Sequence, residues 1–394
     1  MHFTLKLPAV LAIMTALTTS SALADGWVKS YALEMQQHAF YFPGDGTAEA
    51  PGPDCPNGAL PAIDRRKALK TSYRTWEEVD KLLDPENPQW ARIGGIRGPS
   101  KENVYEKPWS VPDPGMTPVE GDVAYGFDLD GDPSTGFTGT DGTPGVDHTY
   151  YYMAGCMLAY RGRLKNEAGE SFATEYMLNG AFAVLMLVSG EGDDPANDDS
   201  VKIAFYLSDD DLVKDANGDV TPDYSYRINT DPRFQSVMSG RTENGMVIVD
   251  EPSLIKLHAQ VNAGFFPPQL KLFRGQLRLE PNEDCGLHGF IGGYREIKPY
   301  YDGWARAGTI HEAVSRIDIP AYWYALHRNA DFKANPDAEQ NDAISVTYYM
   351  RLVPAFAVEP DGRTAITQAK LYEGEIEERL SAQIRPIRGT SGSQ

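Results

Sequence analysis

Aspartates at alternate positions are the residues of this chain with the clearest potential for chemistry. In YGFDLDGDPSTGFTGTDGTPGVDHTYYY, residues 125–152, Asp128, Asp130 and Asp132 are spaced i, i+2 and i+4. Ca²⁺ takes six to eight oxygen ligands, and this spacing on a tightly turning backbone aims three carboxylates at one point. The segment therefore predicts a calcium site. Solvated turns are the alternative, because Asp, Gly and Pro are also the residues that tight turns require.

A second acidic segment, DANGDVTPD, repeats the spacing with Asp215, Asn217 and Asp219 and adds Asp223 at the ninth position. It resembles the D-x-N-x-D-x-x-x-D calcium loop of integrin-type β-propeller repeats. That resemblance implies a local calcium site at these four residues. It does not imply the propeller fold, because the match occurs once and Val220 stands where the family has glycine.

Neither segment is an EF-hand loop. Pro133 and Val220 occupy the position after the third ligand, where that motif needs glycine for its sharp turn, and neither segment has glutamate at position 12. Ordinary turn chemistry stays open for both segments.

An adjacent acid and histidine, Asp147 and His148, form the one weak catalytic candidate. An Asp–His pair acts as a general base when the two side chains meet. Neighbours on an extended chain point to opposite faces, however, so a simple loop histidine is the favoured alternative. The chain has no G-x-S-x-G or H-E-x-x-H motif. We therefore expect a non-catalytic protein.

Charge and aromatic content restrict the partners. The chain carries 56 acidic against 36 basic residues and a net charge of −20, which disfavours nucleic acid and anionic lipid. Its 21 Tyr, 6 Trp and 15 Phe include ring clusters at 148–153, 298–304 and 320–327. Such rings form a core or stack on planar ligand faces. Carbohydrate or another small neutral ligand is therefore the expected partner class.

The first 24 residues have the pattern of a signal peptide. Lys6 precedes an apolar run from Leu7 to Leu17, and Ala22 and Ala24 form an A-x-A cleavage site. The run is too short for a membrane anchor, which needs about 20 apolar residues. We expect cleavage after Ala24 and a periplasmic or secreted protein with no transmembrane segment.

Three cysteines, Cys55, Cys156 and Cys285, leave three possible disulfide pairings and one free thiol. None has the C-x-x-C spacing of a redox or zinc site. From its apolar context in YYMAGCMLAY we expect Cys156 to pair with Cys55, which lies in a Pro/Gly-rich loop.

Short runs of apolar residues bounded by Gly, Asn, Asp or Pro indicate β-strands. They predict a mainly β fold, an antiparallel β-sandwich or barrel-like core with a few short helices and long irregular Pro/Gly-rich segments. The runs are at 179–190, 200–209, 244–252, 253–261, 269–281, 285–294 and 343–360.

The predicted domain organisation places most of the chain in one β-rich unit. Thr75 and Glu78 have capping-box spacing and start a short helix near 75–84. The predicted segments are a signal peptide at 1–24, an irregular N-terminal arm at 25–121, a β-rich domain at 122–388 with a helical insertion near 309–332, and a flexible tail at 389–394.

Residues 145–162, 179–190 and 322–356 are similar to stretches of exported bacterial β-rich proteins, a resemblance that implies neither a function nor site residues. Three functions stay open. The first is an exported, calcium-stabilised binding or accessory protein. The second is a secreted hydrolase or lyase that acts on a polymer through Asp/His acid–base chemistry. The third is an envelope assembly protein that docks through its irregular segments.

Overall fold

The computed structural model describes a set of ranges with gaps. These are 26–43, 52–56, 70, 74–84, 100, 102–157, 160, 177–180, 182–258, 269–307 and 318–373. The predicted signal peptide at 1–24 and the tail at 389–394 lie outside them. No helix in these ranges combines the length and the apolar character that a membrane crossing requires.

Eight strands form one closed, antiparallel, barrel-like sheet, which confirms the predicted fold class. Each strand is hydrogen-bonded to the strand before and after it in the spatial order, and the first strand also pairs with the last. In that order they are β1 (Trp27–His38), β4 (Ala183–Gly190), β5 (Asp198–Ser208), β7 (Ser236–Glu243), β8 (Met246–His258), β9 (Gln269–Pro281), β10 (Leu287–Glu296) and β11 (Ala343–Val358).

Three short strands lie outside this ring. β6 (Tyr224–Arg227) pairs in parallel with the C-terminal end of β11. β2 (Val123–Ala124) and β3 (Thr138–Gly139) form a separate two-residue ladder in the segment that carries the first acidic motif.

The inside of the barrel is filled by apolar side chains. Directly paired residues share a face of the sheet. Met186 lies opposite Tyr31 and Phe205, and Ile291 lies opposite Leu277, and all five side chains are buried. The barrel therefore has a packed core, and ligand sites must be sought on its outer face or at its ends.

The predicted irregular arm at 25–121 begins, in the structure, with β1, a full strand of the barrel. The sequence of β1 does not indicate a strand, for two reasons. The register against β11 shifts between Leu33 and Met35, and consecutive residues are buried on both faces. Both features remove the polar–apolar alternation by which a half-buried strand is recognised.

Four short helices are present in the described ranges: α1 (Trp76–Leu83), α2 (Thr149–Ala154), α3 (Ile297–Ala307) and α4 (Ile319–Arg328). α1 has the predicted capping box, with the Thr75 hydroxyl accepting from the Glu78 amide and the Glu78 carboxylate accepting from the Thr75 amide. Pro320 stands in the first turn of α4, where its missing N–H costs no hydrogen bond.

Buried tyrosines from α2, α3 and α4 meet at one end of the barrel. The Tyr300 hydroxyl is 2.7 Å from Nε2 of His38, and the Tyr150 and Tyr322 hydroxyls are 3.1 Å apart. Arg295 donates to the Tyr348 hydroxyl at 2.7 Å. The ring clusters expected at 148–153, 298–304 and 320–327 therefore contribute mainly to the core, although Tyr152 is exposed.

A disulfide bond joins Cys55 to Cys156, the pairing expected from the sequence, and Cys285 is free and exposed. Both bonded cysteines are buried. The bond ties residues 52–56 to the chain just after α2, across a sequence separation of 101 residues.

We expect a variant with both Cys55→Ala and Cys156→Ala to lose roughly 3–5 kcal/mol of unfolding free energy. A cross-link over about 100 residues restricts the unfolded chain by an amount of that order. Urea unfolding of the variant and of the wild type measures the difference. The matched control, Cys285→Ala, should leave the midpoint unchanged. Equal midpoints for the double variant and the wild type would show that the bond adds no stability.

Candidate metal site and ligand pocket

The segment 122–148 lies on the outer face of β9, β10 and β11. Phe127 and Leu129 are buried and pack with Tyr294 of β10, so the intervening Asp128 and Asp130 point the other way. The Phe127 ring comes close to the backbone of β10 because the residue beneath the ring is a glycine. A Cβ at Gly292 would come within 2.6 Å of the Phe127 ring.

Three carboxylates converge at the start of this segment. Oxygen atoms of Asp128, Asp130 and Asp147 all lie within 4.8 Å of one another. Gly131 has φ +84°, a left-handed conformation that turns the chain at this point. None of the three aspartates forms a salt bridge with a lysine or arginine in the described ranges.

Asp147 holds the cluster together from a position 17 residues further along the chain. One of its oxygens accepts hydrogen bonds from the amides of Leu129 at 2.7 Å and Asp130 at 3.0 Å. The pairing of Phe127 with Asp147 brings it there. Burial raises the pKa of Asp147 to about 6, and the charges of Asp130 and Asp331 contribute to the rise. A bound cation would favour the ionised carboxylate.

Asp132, the third ligand predicted from the spacing, is not part of this group. Its carboxylate accepts from the amide of Ser134 at 3.0 Å and from the Ser134 hydroxyl at 2.6 Å, and these bonds lower its pKa. It therefore closes a local turn.

The second acidic segment forms a tight turn of its own. One Asp215 oxygen accepts from the amides of Asn217 and Asp219, and the Asn217 amide group also bonds Asp215. Asp223 adopts φ +56° beside it. Within the described ranges, the carboxylates of this turn do not converge as those of Asp128, Asp130 and Asp147 do. These hydrogen bonds are those of a tight turn, and a calcium site at this segment stays a prediction.

The side chains of Asp147 and His148, the weak catalytic candidates, make separate contacts. His148 is fully buried, and its Nδ1 donates to the carbonyl of Tyr125 at 2.9 Å. Its Nε2 has no hydrogen-bond partner in the described part of the chain. Burial lowers the pKa of His148 to about 3. Asp147 accepts hydrogen bonds from two backbone amides, whereas His148 donates to a backbone carbonyl, so the two adjacent residues do not form an acid–base pair.

Two residues near the cluster were not indicated by any local motif. Tyr294 is 2 % exposed, and the charges of Asp147, Asp331 and Asp130 contribute to a raised pKa, whose main cause is burial. Asp331 accepts hydrogen bonds from the hydroxyls of Thr149 and Ser345, both at 2.6 Å. Tertiary folding alone brings these positions together, so sequence spacing carries no signal for them.

A pocket of about 400 Å³ lies beside the cluster. One wall is formed by residues 124–128 and 139–146, and the other by the outer face of β9, β10 and β11. Tyr125 stacks on Phe290, with ring centroids 4.9 Å apart, and Phe290 meets Tyr349 edge to face at 5.8 Å. Half-buried rings therefore form part of the surface that a ligand would contact.

Polar groups surround these rings. Gln276, Arg278 and His288 line the barrel side, and the His288 ring is hydrogen-bonded to the Tyr349 hydroxyl at 3.2 Å. No single ring-rich run of the sequence marks the aromatic residues of the pocket, because Tyr125 follows β2, Phe290 lies on β10 and Tyr349 lies on β11. Comparison of the chain with protein families, curated proteins and solved structures finds no match.

We expect His148 to make the fold sensitive to acid. Its pKa is lowered on folding, so the unfolded chain takes up the proton first as the pH falls below about 6.5. The resulting loss of unfolding free energy is about 1.4 kcal/mol per pH unit and extends from pH 6.5 towards 3. The stability that the neutral ring provides is fully present above that range.

The measurement is the unfolding free energy of the wild type and of His148→Gln in chelator at a series of pH values. Glutamine can donate to the same carbonyl and does not titrate. The variant should lose less stability than the wild type between pH 6.5 and 4. Parallel curves would contradict the assignment of the acid sensitivity to this ring.

Proposed function

We propose that this protein is an exported, calcium-stabilised binding protein that holds a small neutral ligand, with carbohydrate as the expected class. The observation that carries the proposal is the cluster of Asp128, Asp130 and Asp147, whose carboxylates converge without a described cationic partner. The pocket of about 400 Å³ next to it supplies the ligand site.

Calcium fits the donors of the cluster. All three are carboxylate oxygens, the ligands that hard cations prefer, and the group includes no histidine or cysteine to attract zinc. Oxygens on opposite sides of one Ca²⁺ lie about 4.6–5.2 Å apart, twice the usual bond length. The 4.8 Å span of the cluster lies within that limit. Three negative charges this close repel each other until a cation is bound.

The character of the pocket supports a neutral ligand. Its lining includes the acidic residues Asp128, Asp141 and Glu280 against one arginine, Arg278. This excess of negative charge and the net charge of −20 disfavour anions. Rings together with polar side chains suit a ligand that has both apolar faces and hydroxyl groups, as sugars do.

Export is supported by the signal-like sequence at 1–24 and by the disulfide, since such bonds persist in oxidising compartments. The alternatives have less support. The acid–base pair that motivated a secreted hydrolase is separated, with His148 buried. The arm that motivated an envelope assembly protein begins with a strand built into the barrel.

Calcium should raise the melting temperature of the processed protein, and magnesium at the same concentration should raise it less. Binding to the folded state alone adds about 2.7 kcal/mol at a hundredfold excess over Kd. Asp130→Asn should abolish most of the calcium-dependent shift, because it removes one converging carboxylate. Thermal melts in chelator and in millimolar calcium provide the measurement.

Two matched controls locate the site. Asp132→Asn and Asp219→Asn remove acidic residues that lie outside the cluster, so both variants should keep the wild-type shift. A wild-type melt that calcium leaves unchanged would refute the ion site. Loss of the shift in Asp219→Asn alone would assign calcium to the second segment instead.

The pocket prediction concerns its stacked rings. In the presence of calcium, the processed protein should bind at least one member of a panel of neutral oligosaccharides. Isothermal titration calorimetry measures the affinity. Phe290→Ala should weaken that binding about tenfold, because it removes the central ring of the aromatic set. Trp109→Ala is the control, since Trp109 is 61 % exposed and lies outside the pocket lining. Equal weakening by both variants would remove the pocket from consideration.

A further inference from the structure

Asp128 belongs to both the carboxylate cluster and the pocket. Its side chain contributes an oxygen to the cluster, and the residue also lines the pocket wall. Its carbonyl oxygen accepts a hydrogen bond from Nε2 of Gln276 at 3.3 Å, and Gln276 lines the opposite wall. A change in the position of Asp128 therefore reaches both sides of the pocket.

A second observation, independent of the aspartates, indicates that the cluster holds a ligand. The Tyr294 hydroxyl makes no hydrogen bond to any described residue, although the side chain is 2 % exposed. Its ring packs with Phe127 and Leu129, the residues on either side of Asp128, and the charges of Asp147, Asp331 and Asp130 contribute to its raised pKa. A hydroxyl among carboxylates that it does not bond is free to donate to a water molecule of a hydrated cation.

The cluster also has the mechanical connections needed to act on the pocket. Asp147 fixes the amides of Leu129 and Asp130, and Asp128 accepts from the amide of Gly131 at 2.6 Å. Without a cation, repulsion favours conformations in which the half-buried Asp128 and the exposed Asp130 move away from the buried Asp147. Movement of Asp128 shifts residues 124–128, which form the pocket wall.

We propose that occupancy of the Asp128–Asp130–Asp147 site by calcium orders the wall at residues 124–128 and thereby controls the affinity of the pocket. The inference rests on the proposed function, because it requires both the ion and the pocket. The coupling is reciprocal, so a pocket ligand must raise calcium affinity by the same factor by which calcium raises ligand affinity. Ligand capture is then confined to calcium-containing surroundings.

The coupling is tested by amide hydrogen exchange on the processed, disulfide-bonded protein in chelator and in saturating calcium. Calcium should slow exchange in residues 124–128 and 139–146 about fivefold or more, the lower end of typical coupling strengths. Terbium luminescence reports ion occupancy separately, and Tyr294 is a nearby sensitiser. In Asp130→Asn, where we expect no bound ion, calcium should leave exchange in both segments unchanged.

A second variant, Gln276→Leu, separates ion binding from its effect on the pocket. It removes the bond to the Asp128 carbonyl and none of the three carboxylates, so terbium should still bind while the protection of residues 124–128 falls. Calcium-dependent stabilisation with unchanged exchange in those residues would overturn the coupling and leave the calcium site standing. Absence of both stabilisation and terbium binding would overturn the site and the coupling together.

Discussion

The pairing of the first strand with the last closes the barrel, and the other elements depend on it. β1 bonds β4 on one side and β11 on the other, so each barrel strand has two neighbours and no barrel edge is left open. The Ser30 hydroxyl strengthens the closure by donating to the Ala355 carbonyl and accepting from the Ala357 amide, contacts that span more than 320 residues. Such non-local pairing incurs a large loop-closure entropy, and it forms only when β11 is available.

Closure also determines where function can lie. The inside of the barrel is filled with apolar side chains, and the pocket beside the carboxylate cluster lies on the outer face of β9, β10 and β11. The segment 122–148 is held on that face by the Phe127 ring over Gly292 and by the pairing of Phe127 with Asp147. Candidate site residues are thereby mounted on a rigid scaffold, although they belong to a loop.

The sequence predicted those features that local spacing encodes and missed those that long-range pairing creates. Alternation in β9 and the capping box at Thr75 were recognised because each depends on neighbours along the chain. The spacing also identified Asp128 and Asp130. It selected Asp132 as the third ligand, whereas Asp147 completes the cluster, because the antiparallel return of the chain determines which carboxylate arrives there. The strand β1 was not predicted for a related reason. Its residues are buried on both faces, which removes the polar–apolar alternation.

The contrast with other buried aspartates explains why the cluster stands out. Asp198 accepts from the indole of Trp27 and from backbone amides, and Asp231 is paired with Arg233, and these contacts lower the pKa of each acid. Asp147 also accepts two amides, yet its pKa is raised, because burial and neighbouring carboxylates outweigh those bonds. Within the described ranges, Asp128, Asp130 and Asp147 form a group of like charges to which no lysine or arginine is paired. Groups of like charges are more frequent at functional sites than elsewhere, and the cation proposed above would compensate this one.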